Sequence, residues 1–239
     1  MARDSAAGDL THVSDWVFDL DNTLYPAHCD LFAEIDARMT DFVARFLRTD
    51  HGAARALQKK YYADHGTTLK GLMTLHGMDP SDFLAHVHEV DLSPLPICER
   101  LRGAISALPG RKLIYTNGSR RHAERVTSHM QIDDLFDGMF GIEDSDYHPK
   151  PDTRSYSVFC DVHSVDPAQA IFFEDMDRNL RPAHVLGFTT VLVQSDAPWA
   201  ENEPHGARPA GPGDELGDHI HYVTDDLTGF LTAAVPVTD

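Results

Sequence analysis

Apolar residues recur at helical spacing through the stretch that follows Pro26 and continues to about residue 90. A long helix is predicted first, with one broad apolar stripe made of Leu31, Phe32, Ile35, Met39, Phe42, Val43, Phe46 and Leu47. Three shorter helices are predicted after it, over residues 52–64, 67–75 and 81–90. No apolar run of strand type interrupts them. The pattern therefore predicts an all-helical unit that is inserted after a single strand.

Elsewhere, short and nearly continuous apolar runs alternate with helical segments. Strands are predicted around residues 16–18, 112–116, 139–140, 170–173, 189–193 and 220–223, and helices over 97–108, 120–131, 152–162 and 178–186. Such runs are typical of a parallel sheet that is covered on both faces. The chain is thus predicted to be an α/β protein: a Rossmann-like, doubly wound parallel core (residues 1–25 and 94–239) with an inserted all-helical cap (residues 26–93).

The composition narrows the range of partners and compartments. The 239 residues include 20 basic and 38 acidic ones, a formal net charge of −18, which argues against nucleic acid or an anionic membrane as the main partner. No apolar run approaches membrane-spanning length, and the polar, acidic N-terminus lacks the regions of a signal peptide. The three cysteines are widely spaced and odd in number, which favours a reducing compartment. We expect a cytoplasmic protein. No feature of the sequence predicts its oligomeric state.

The segment 198–217 differs from the rest of the predicted core. It is rich in Pro, Gly and charged residues, and strand and helix patterns resume after it. We therefore expect a surface excursion from the core and not a linker to a further domain.

The first predicted strand ends in two carboxylates, Asp19 and Asp21. A buried carboxylate is costly unless a cation, a hydrogen-bond donor or a proton compensates it, so a catalytic or metal site is one interpretation. A solvated junction between strand and turn is the other. An EF-hand loop fits less well, because Leu24 stands where the tight turn needs Gly and Asp30 stands where a bidentate Glu belongs.

Polar residues also end two other strands and occupy one loop. Thr116 and Asn117 follow the second core strand, Glu174 and Asp175 follow the fourth, and Lys150 lies between two prolines. Taken singly, these groups are typical of a turn, a surface charge and helix-capping acids. In an open parallel sheet, however, the carboxyl ends of the strands share one crevice. Their joint occurrence therefore predicts a single site.

The order of these motifs resembles that of a known superfamily. Asp19-x-Asp21-x-Thr23, Thr116-Asn117, Lys150-Pro151 and the run 174–179 resemble the four motifs of the haloacid dehalogenase superfamily of phosphotransferases, over nearly the whole chain. Within it, residues 19–26, 61–73 and 87–91 resemble the pyrimidine 5′-nucleotidase family. This resemblance implies a phosphatase that acts on a small-molecule phosphate ester, with pyrimidine nucleoside monophosphates as the first substrates to expect.

The resemblance also implies roles for the acidic residues. Asp19 would attack phosphorus to give an aspartyl-phosphate, while a protonated Asp21 donates to the leaving alcohol and then activates water. Mg²⁺ would be held by Asp19, Asp175 and the main-chain carbonyl of Asp21. A phosphate dianion beside three carboxylates exceeds the charge of Mg²⁺ and Lys150, which is why one carboxyl, that of Asp21, is expected to carry a proton.

The remaining roles that the resemblance implies concern the phosphoryl group. The Thr116 hydroxyl and the Asn117 amide would bind its oxygens, and Lys150 would neutralise charge. Glu174 and Asn179 would lie behind them and position Lys150. A dehalogenase is disfavoured, because release of halide needs no proton donor and dehalogenases of this superfamily lack a carboxylate at the place of Asp21.

Substrate discrimination is expected to come from the cap, since every phosphate ester presents the same phosphoryl group to the core. Thr67, Thr68 and Lys70 are the candidate specificity residues, and Tyr61 or Tyr62 is a candidate for stacking on a base. The alternative interpretation is that Thr67 only caps a helix and Lys70 is solvated. Two further functions stay open: a phosphatase for another small ester, such as phosphoglycolate or a sugar phosphate, and a non-catalytic protein that binds a phosphorylated ligand.

Two histidine pairs are weaker metal candidates. His86 and His88 would point apart on a helix, and His219 and His221 on a strand would supply only half a site.

Overall fold

The computed structural model describes residues 10–195 and 215–235, and its core is a six-stranded parallel sheet. The strands are β1 (Asp15–Phe18), β2 (Arg111–Tyr115), β3 (Gly138–Phe140), β4 (Ala170–Glu174), β5 (Thr189–Val193) and β6 (Tyr222–Thr224). Their order across the sheet is β3-β2-β1-β4-β5-β6, and every neighbouring pair is parallel. The predicted doubly wound α/β fold is confirmed.

The central strands are buried on both faces, as their continuous apolar sequences require. Trp16 and Phe18 on β1 belong to one apolar cluster with Phe173 of β4, whereas Val17 and Phe172 belong to a second cluster on the opposite face. Successive side chains of a strand point to opposite faces, so an apolar run fills both clusters at once.

Helices cover both faces of the sheet. They are α5 (Glu99–Ala107), α6 (Arg120–His129), α7 (Thr153–His163), α8 (Asp177–Leu186) and α9 (Leu227–Ala234). The last strand begins two residues later and ends one residue later than predicted, and α9 was not predicted as a separate element. Both lie beyond residues 196–214, which the structure does not describe and which hold most of the predicted surface excursion 198–217.

Between β1 and α5 the chain forms four helices, α1 (Leu31–Leu47), α2 (His51–His65), α3 (Thr68–His76) and α4 (Pro80–Val87). We refer to residues 26–93 as the cap. Side chains of Asp50, Thr67 and Asp79 accept main-chain N–H groups at the starts of α2, α3 and α4, which satisfies donors that would otherwise be unpaired.

Helix α4 ends three residues before the sequence pattern predicts. The Arg125 side chain on α6 donates hydrogen bonds to the carbonyl oxygens of His88, at 2.5 Å, and Val90, at 3.2 Å. These bonds satisfy carbonyl groups just beyond the helix end, so the chain can turn toward the core at His88 without losing hydrogen bonds. None of the helices in the described part of the chain has both the length and the apolar character needed to cross a bilayer.

Candidate active site

The predicted site residues converge where the carboxyl ends of β1, β2 and β4 meet. The order of strands reverses direction between β1 and β4, and ligands of such sheets bind in the crevice at this point. Asp19 follows β1 directly, and its N–H donates to the carbonyl oxygen of Phe173 on β4 at 2.9 Å. The main chain therefore brings Asp19 beside the acidic pair Glu174 and Asp175.

Lys150 is buried at the centre of this arrangement. Its Nζ donates hydrogen bonds to Asp19 Oδ1 at 2.7 Å, to Glu174 Oε2 at 2.7 Å and to the Tyr115 carbonyl oxygen at 2.9 Å. These three bonds use the full donor capacity of an ammonium group. Only 1% of the side chain is exposed, so these contacts must compensate its desolvation.

One ammonium group does not balance the carboxylates around it. Oxygen atoms of Asp19, Glu174 and Asp175 lie within 4.8 Å of one another. Burial, and after it the charge of Glu174, raises the pKa of Asp19 to about 8 in spite of Lys150. Burial and the charges of Glu174 and Asp19 likewise raise the pKa of Asp175 well above its usual value. The cluster therefore lacks positive charge.

The donor set of this cluster fits a hard divalent cation. Glu174 is already engaged through both oxygens, by Lys150 and by the N–H of Met176 at 3.1 Å, which leaves Asp19 and Asp175 as the carboxylates with acceptor capacity. Asn22 donates to Asp175 Oδ2 at 3.4 Å, and its own Oδ1 is buried without a partner among the described residues. Buried carboxylate and amide oxygens without donors are the ligands that Mg²⁺ prefers.

The Asp21 carboxyl faces a different environment. Its Oδ1 accepts hydrogen bonds from the Tyr25 hydroxyl at 2.5 Å and from His122 Nε2 at 2.9 Å. Burial raises the pKa of this carboxyl, but the charge of His122 and the two hydrogen bonds outweigh burial, so the pKa lies below its usual value. The pKa values of Asp21 and Asp19 are thus shifted in opposite directions, because His122 lies beside Asp21. The proton expected on Asp21 concerns the site with a phosphate dianion bound, and it stays a prediction.

His122 was not predicted as a site residue. The only signal in the sequence is its place in the first turn of the helix that follows Thr116 and Asn117, since that turn lies at the same edge of the sheet. The residue is fully buried and reaches Asp21 across the crevice.

Thr116 and Asn117 differ in how much of each side chain is already engaged. The Thr116 hydroxyl accepts the N–H of Gly118 at 2.9 Å, so its own proton is still available to an anion. The Asn117 side chain donates to the Lys150 carbonyl oxygen at 3.1 Å and accepts the Lys150 N–H at 2.7 Å. Asn117 thus holds the main chain of Lys150 in place. Asn179, the other predicted asparagine, has its side-chain Oδ1 buried without a partner among the described residues.

A cavity of about 140 Å³ separates these core residues from the cap. The cap side of its wall is largely apolar and includes Phe32, Ile35, Met39, Leu69, Phe83, Leu84 and Val87. It also contains a polar cluster, in which Asp36 Oδ1 accepts from Lys59 Nζ at 2.8 Å and from Gln58 Nε2 at 2.6 Å. No motif in the sequence marks this cluster, because its members are spread over two helices.

The cap residues that were predicted to contact the substrate differ in whether they line the cavity. Thr67 accepts the N–H of Lys70 at 3.1 Å as the cap of α3, and the Thr68 hydroxyl donates to the Gln58 carbonyl oxygen at 3.3 Å. Both threonines line the cavity, whereas Lys70 is not part of its wall. Tyr62 also lines it, and its ring lies 4.1 Å from the guanidinium carbon of Arg178 on α8. Tyr61 instead bonds His76 through its hydroxyl at 2.8 Å.

The two histidine pairs are divided between different partners. His86 packs on the ring of Phe42, while His88 Nδ1 lies 3.0 Å from the Ser119 hydroxyl. His219 bonds Asp177 at 2.8 Å, and His221 bonds the N–H of Thr190 at 3.0 Å. Within residues 10–195 and 215–235, the acidic cluster is the only group of at least three side chains with the spacing of a metal site.

Comparisons with known proteins indicate a family and support the fold. The model of the haloacid dehalogenase-like hydrolase family matches residues 17–187. Phosphate metabolism protein 8 of Saccharomyces cerevisiae is 27% identical over 194 residues, 73% of this chain and 60% of that protein. Enolase-phosphatase E1 of Shewanella frigidimarina is 26% identical over 124 residues, 52% of this chain and 51% of that protein. The chain thus matches little more than half the length of these relatives.

Solved structures share the fold over most of their length. The L-2-haloacid dehalogenase of Xanthobacter autotrophicus superimposes with a TM-score of 0.56 at 16% identity, covering 92% of this chain and 97% of that one. A HAD phosphatase of Thermococcus onnurineus gives a TM-score of 0.57 at 15% identity, covering 88% and 93%. Identity at this level concerns the fold alone, and the fold is common to both kinds of enzyme.

Proposed function

Because the chain belongs to the haloacid dehalogenase-like hydrolase family, we propose that it is a Mg²⁺-dependent phosphatase that forms an aspartyl-phosphate on Asp19. The observation that carries this proposal is the presence of two carboxyls with different partners beside one cavity. Asp19 bonds a buried lysine, and Asp21 bonds a histidine and a tyrosine. Such a division of environments is typical of a nucleophile paired with an acid and base.

Asp19 suits the role of nucleophile in its geometry. Lys150 holds its Oδ1, which leaves Oδ2 for attack on phosphorus. A nucleophile must be ionised, and the pKa of about 8 supports a role for further positive charge beside Asp19. Asp19, Asp175 and the main-chain carbonyl of Asp21 would hold Mg²⁺. The ion, when bound, supplies that charge and offsets the charge of the phosphoryl oxygens.

Asp21 is proposed as the proton donor and later the base. Entry of a phosphate dianion raises the pKa of a neighbouring carboxyl by like-charge repulsion, which opposes the lowering effect of His122. A proton donor favours phosphate ester hydrolysis over dehalogenation, because an alkoxide leaving group needs a proton and a halide does not. It also favours an enzyme over a protein that only binds phosphorylated ligands.

Binding of the phosphoryl group is assigned to Thr116, Asn117 and Lys150. The Thr116 hydroxyl has a proton to donate, and the main-chain N–H of Asn117 is the proposed second donor, because the Asn117 side chain is engaged with Lys150. The Lys150 ammonium group, which bonds Asp19, would offset the negative charge of Asp19 and of the phosphoryl group beside it. Fixed donors around the phosphoryl oxygens would stabilise the charge that develops there.

We propose pyrimidine nucleoside monophosphates as the substrates. The cavity of about 140 Å³ has a cap wall that combines apolar side chains with the polar cluster of Asp36, Gln58 and Lys59, which supports a leaving group with an apolar face and polar edges, as in a pyrimidine nucleoside. The same volume is smaller than most ligand sites, which lie at roughly 300–1,000 Å³, so entry of a whole nucleotide requires the cap to open. That small volume also favours the second candidate, a smaller ester such as phosphoglycolate or a sugar phosphate.

A panel assay of released phosphate tests these proposals. Uridine, cytidine, adenosine and guanosine monophosphates, phosphoglycolate, a sugar phosphate and p-nitrophenyl phosphate are each supplied with Mg²⁺ and with excess chelator. We expect Mg²⁺-dependent release and the highest kcat/KM for the pyrimidine nucleotides. A higher value for phosphoglycolate or purine nucleotides would contradict the nucleotide assignment alone. Absence of release from every ester would contradict the phosphatase assignment, and full activity in chelator would contradict the role of the metal.

A further inference from the structure

The two carboxyl oxygens of Asp21 have different surroundings. Oδ1 accepts two hydrogen bonds, from Tyr25 and from His122, whereas the described residues make no hydrogen bond to Oδ2. A methyl group built on Gly118, a residue of the cavity wall, would lie 3.6 Å from Oδ2. Oδ2 is therefore the oxygen left for a substrate.

The His122 ring is held on several sides. It stacks on the ring of His88 with a centroid separation of 4.4 Å and an angle of 11° between the planes. The Ser119 hydroxyl accepts the main-chain N–H of His122 at 3.1 Å and contacts His88 Nδ1 at 3.0 Å. A buried ring with these contacts has little freedom to rotate, so the direction of its Nε2–H toward Asp21 is fixed.

We propose that His122 is a positioning residue which, together with Tyr25, orients Asp21 so that its transferable proton lies on Oδ2, toward the leaving group. This inference rests on the proposed function. Nε2 must carry a proton to donate to a carboxylate, and the Tyr25 hydroxyl must donate as well. A proton on Oδ1 would face two donors, so the acid form of Asp21 has its proton on Oδ2.

The step that this arrangement serves is balanced in atoms and charge. Asp19 forms a bond to phosphorus while the bond from phosphorus to the leaving oxygen breaks. The proton on Asp21 Oδ2 passes to the leaving oxygen, which departs as an alcohol. The negative charge that appears on Asp21 is stabilised at Oδ1 by the donors from His122 and Tyr25.

Leaving groups of different acidity separate this role from a structural one. Glycerol 2-phosphate releases an alkoxide that needs a proton, whereas p-nitrophenyl phosphate releases a stable phenolate that does not. We expect His122→Leu to lower kcat/KM for glycerol 2-phosphate about 10- to 100-fold, with little change for p-nitrophenyl phosphate. His122→Gln, which retains an N–H donor, should recover part of the loss.

Two further variants complete the test. Tyr25→Phe removes the second donor to Oδ1 and should show the same selective loss in kcat/KM for glycerol 2-phosphate. This variant carries the test if His122→Leu does not fold. Thr127→Val is the matched control, because it removes a buried hydroxyl on the same helix that bonds Ala123 at 2.8 Å and has no contact with Asp21. It should leave the ratio of the two kcat/KM values unchanged.

Equal losses for both esters, or no loss, in His122→Leu and Tyr25→Phe would overturn the inference while the phosphatase assignment stands. A wild-type chain that hydrolyses neither ester would overturn both.

Discussion

At the scale of single residues, burial is the main cause of the shifted pKa values of Asp19, Asp175 and His88, whereas at Asp21 the neighbouring groups outweigh it. His88 illustrates this outside the acidic cluster: burial, and after it the nearby charge of His122, lowers the pKa of His88 to about 3. The ring is therefore neutral at physiological pH. It can stack on His122 without the repulsion between two cationic rings.

The first prediction concerns the acid sensitivity that His88 causes. An unfolded chain protonates this histidine near pH 6.5, whereas the folded chain does so only at about pH 3. The contribution of neutral His88 to the free energy of unfolding is thus complete above pH 6.5. It is lost as the pH falls toward 3, by up to about 1.4 kcal/mol per pH unit. Urea unfolding of wild type and His88→Phe between pH 4 and 8 should show a shallower decline for the variant. Parallel curves for the two chains would contradict this prediction.

The sequence was sufficient to predict some site residues because strand ends in a parallel sheet share one edge. Asp19, Thr116, Glu174 and Asp175 were expected together on this ground, and the structure places them together. His122 and Asp36 had no comparable signal. Their place depends on which face of a helix turns toward the cavity, and on side-chain contacts between residues far apart in the chain.

At the scale of elements, periodicity and composition predicted the four cap helices, and capping residues predicted where two of them begin. Thr67 and Asp79 stand at the starts of α3 and α4, as the pattern indicated. The end of α4 was wrong by three residues because it depends on Arg125, which belongs to a helix of the core. A tertiary contact of this kind leaves no trace in the local sequence.

The second prediction belongs to the scale of elements and concerns the polar cluster of the cap. Lys59 lines the cavity and bonds Asp36 there, while its neighbour Lys60 is largely exposed and bonds Asp64. If this cluster contacts the leaving group, Lys59→Met should raise KM for the preferred substrate about tenfold or more, since a hydrogen bond to a charged group is lost. Lys60→Met is the matched control and should leave KM unchanged.

p-Nitrophenyl phosphate gives the second comparison for Lys59→Met. It carries no polar group that corresponds to a base or sugar, so its KM should change little. An equal rise for both substrates, or the same rise in Lys60→Met, would show that the effect is general destabilisation of the cap and not loss of a substrate contact.

At the scale of the whole molecule, the cap and the core meet over the site. The guanidinium carbon of Arg178, a core residue, lies 4.1 Å from the centre of the Tyr62 ring on α2. The same side chain donates to the carbonyl oxygen of Gly66, the residue directly after α2, at 3.1 Å. At the other end of the cap sequence, Arg125 donates to the carbonyl oxygens of His88 and Val90 after α4. Each set of contacts is thus made by one arginine side chain of the core, and each includes hydrogen bonds to main-chain carbonyl oxygens of the cap.

The net charge of −18 affects how the whole molecule attracts or repels a charged substrate. An acidic molecule repels an anionic substrate at long range, so the phosphoryl group has to be attracted locally. The proposed cation would meet this need together with Lys150, which pairs with Asp19 and Glu174 in a cluster of three carboxylates. The composition alone argues against polyanionic partners, which stays a prediction, whereas the local shortage of positive charge is visible only from the contacts of Lys150.

The measurement that tests the account most directly is detection of a phosphoryl group on Asp19. The chain is mixed with Mg²⁺ and an excess of its best substrate from the panel, quenched in acid within one turnover, and analysed by mass spectrometry of peptides. We predict a phosphorylated peptide that contains Asp19, together with loss of both this peptide and turnover, by several orders of magnitude, in a folded Asp19→Asn variant. Substantial turnover by Asp19→Asn, or a phosphoryl group on another residue, would contradict the account.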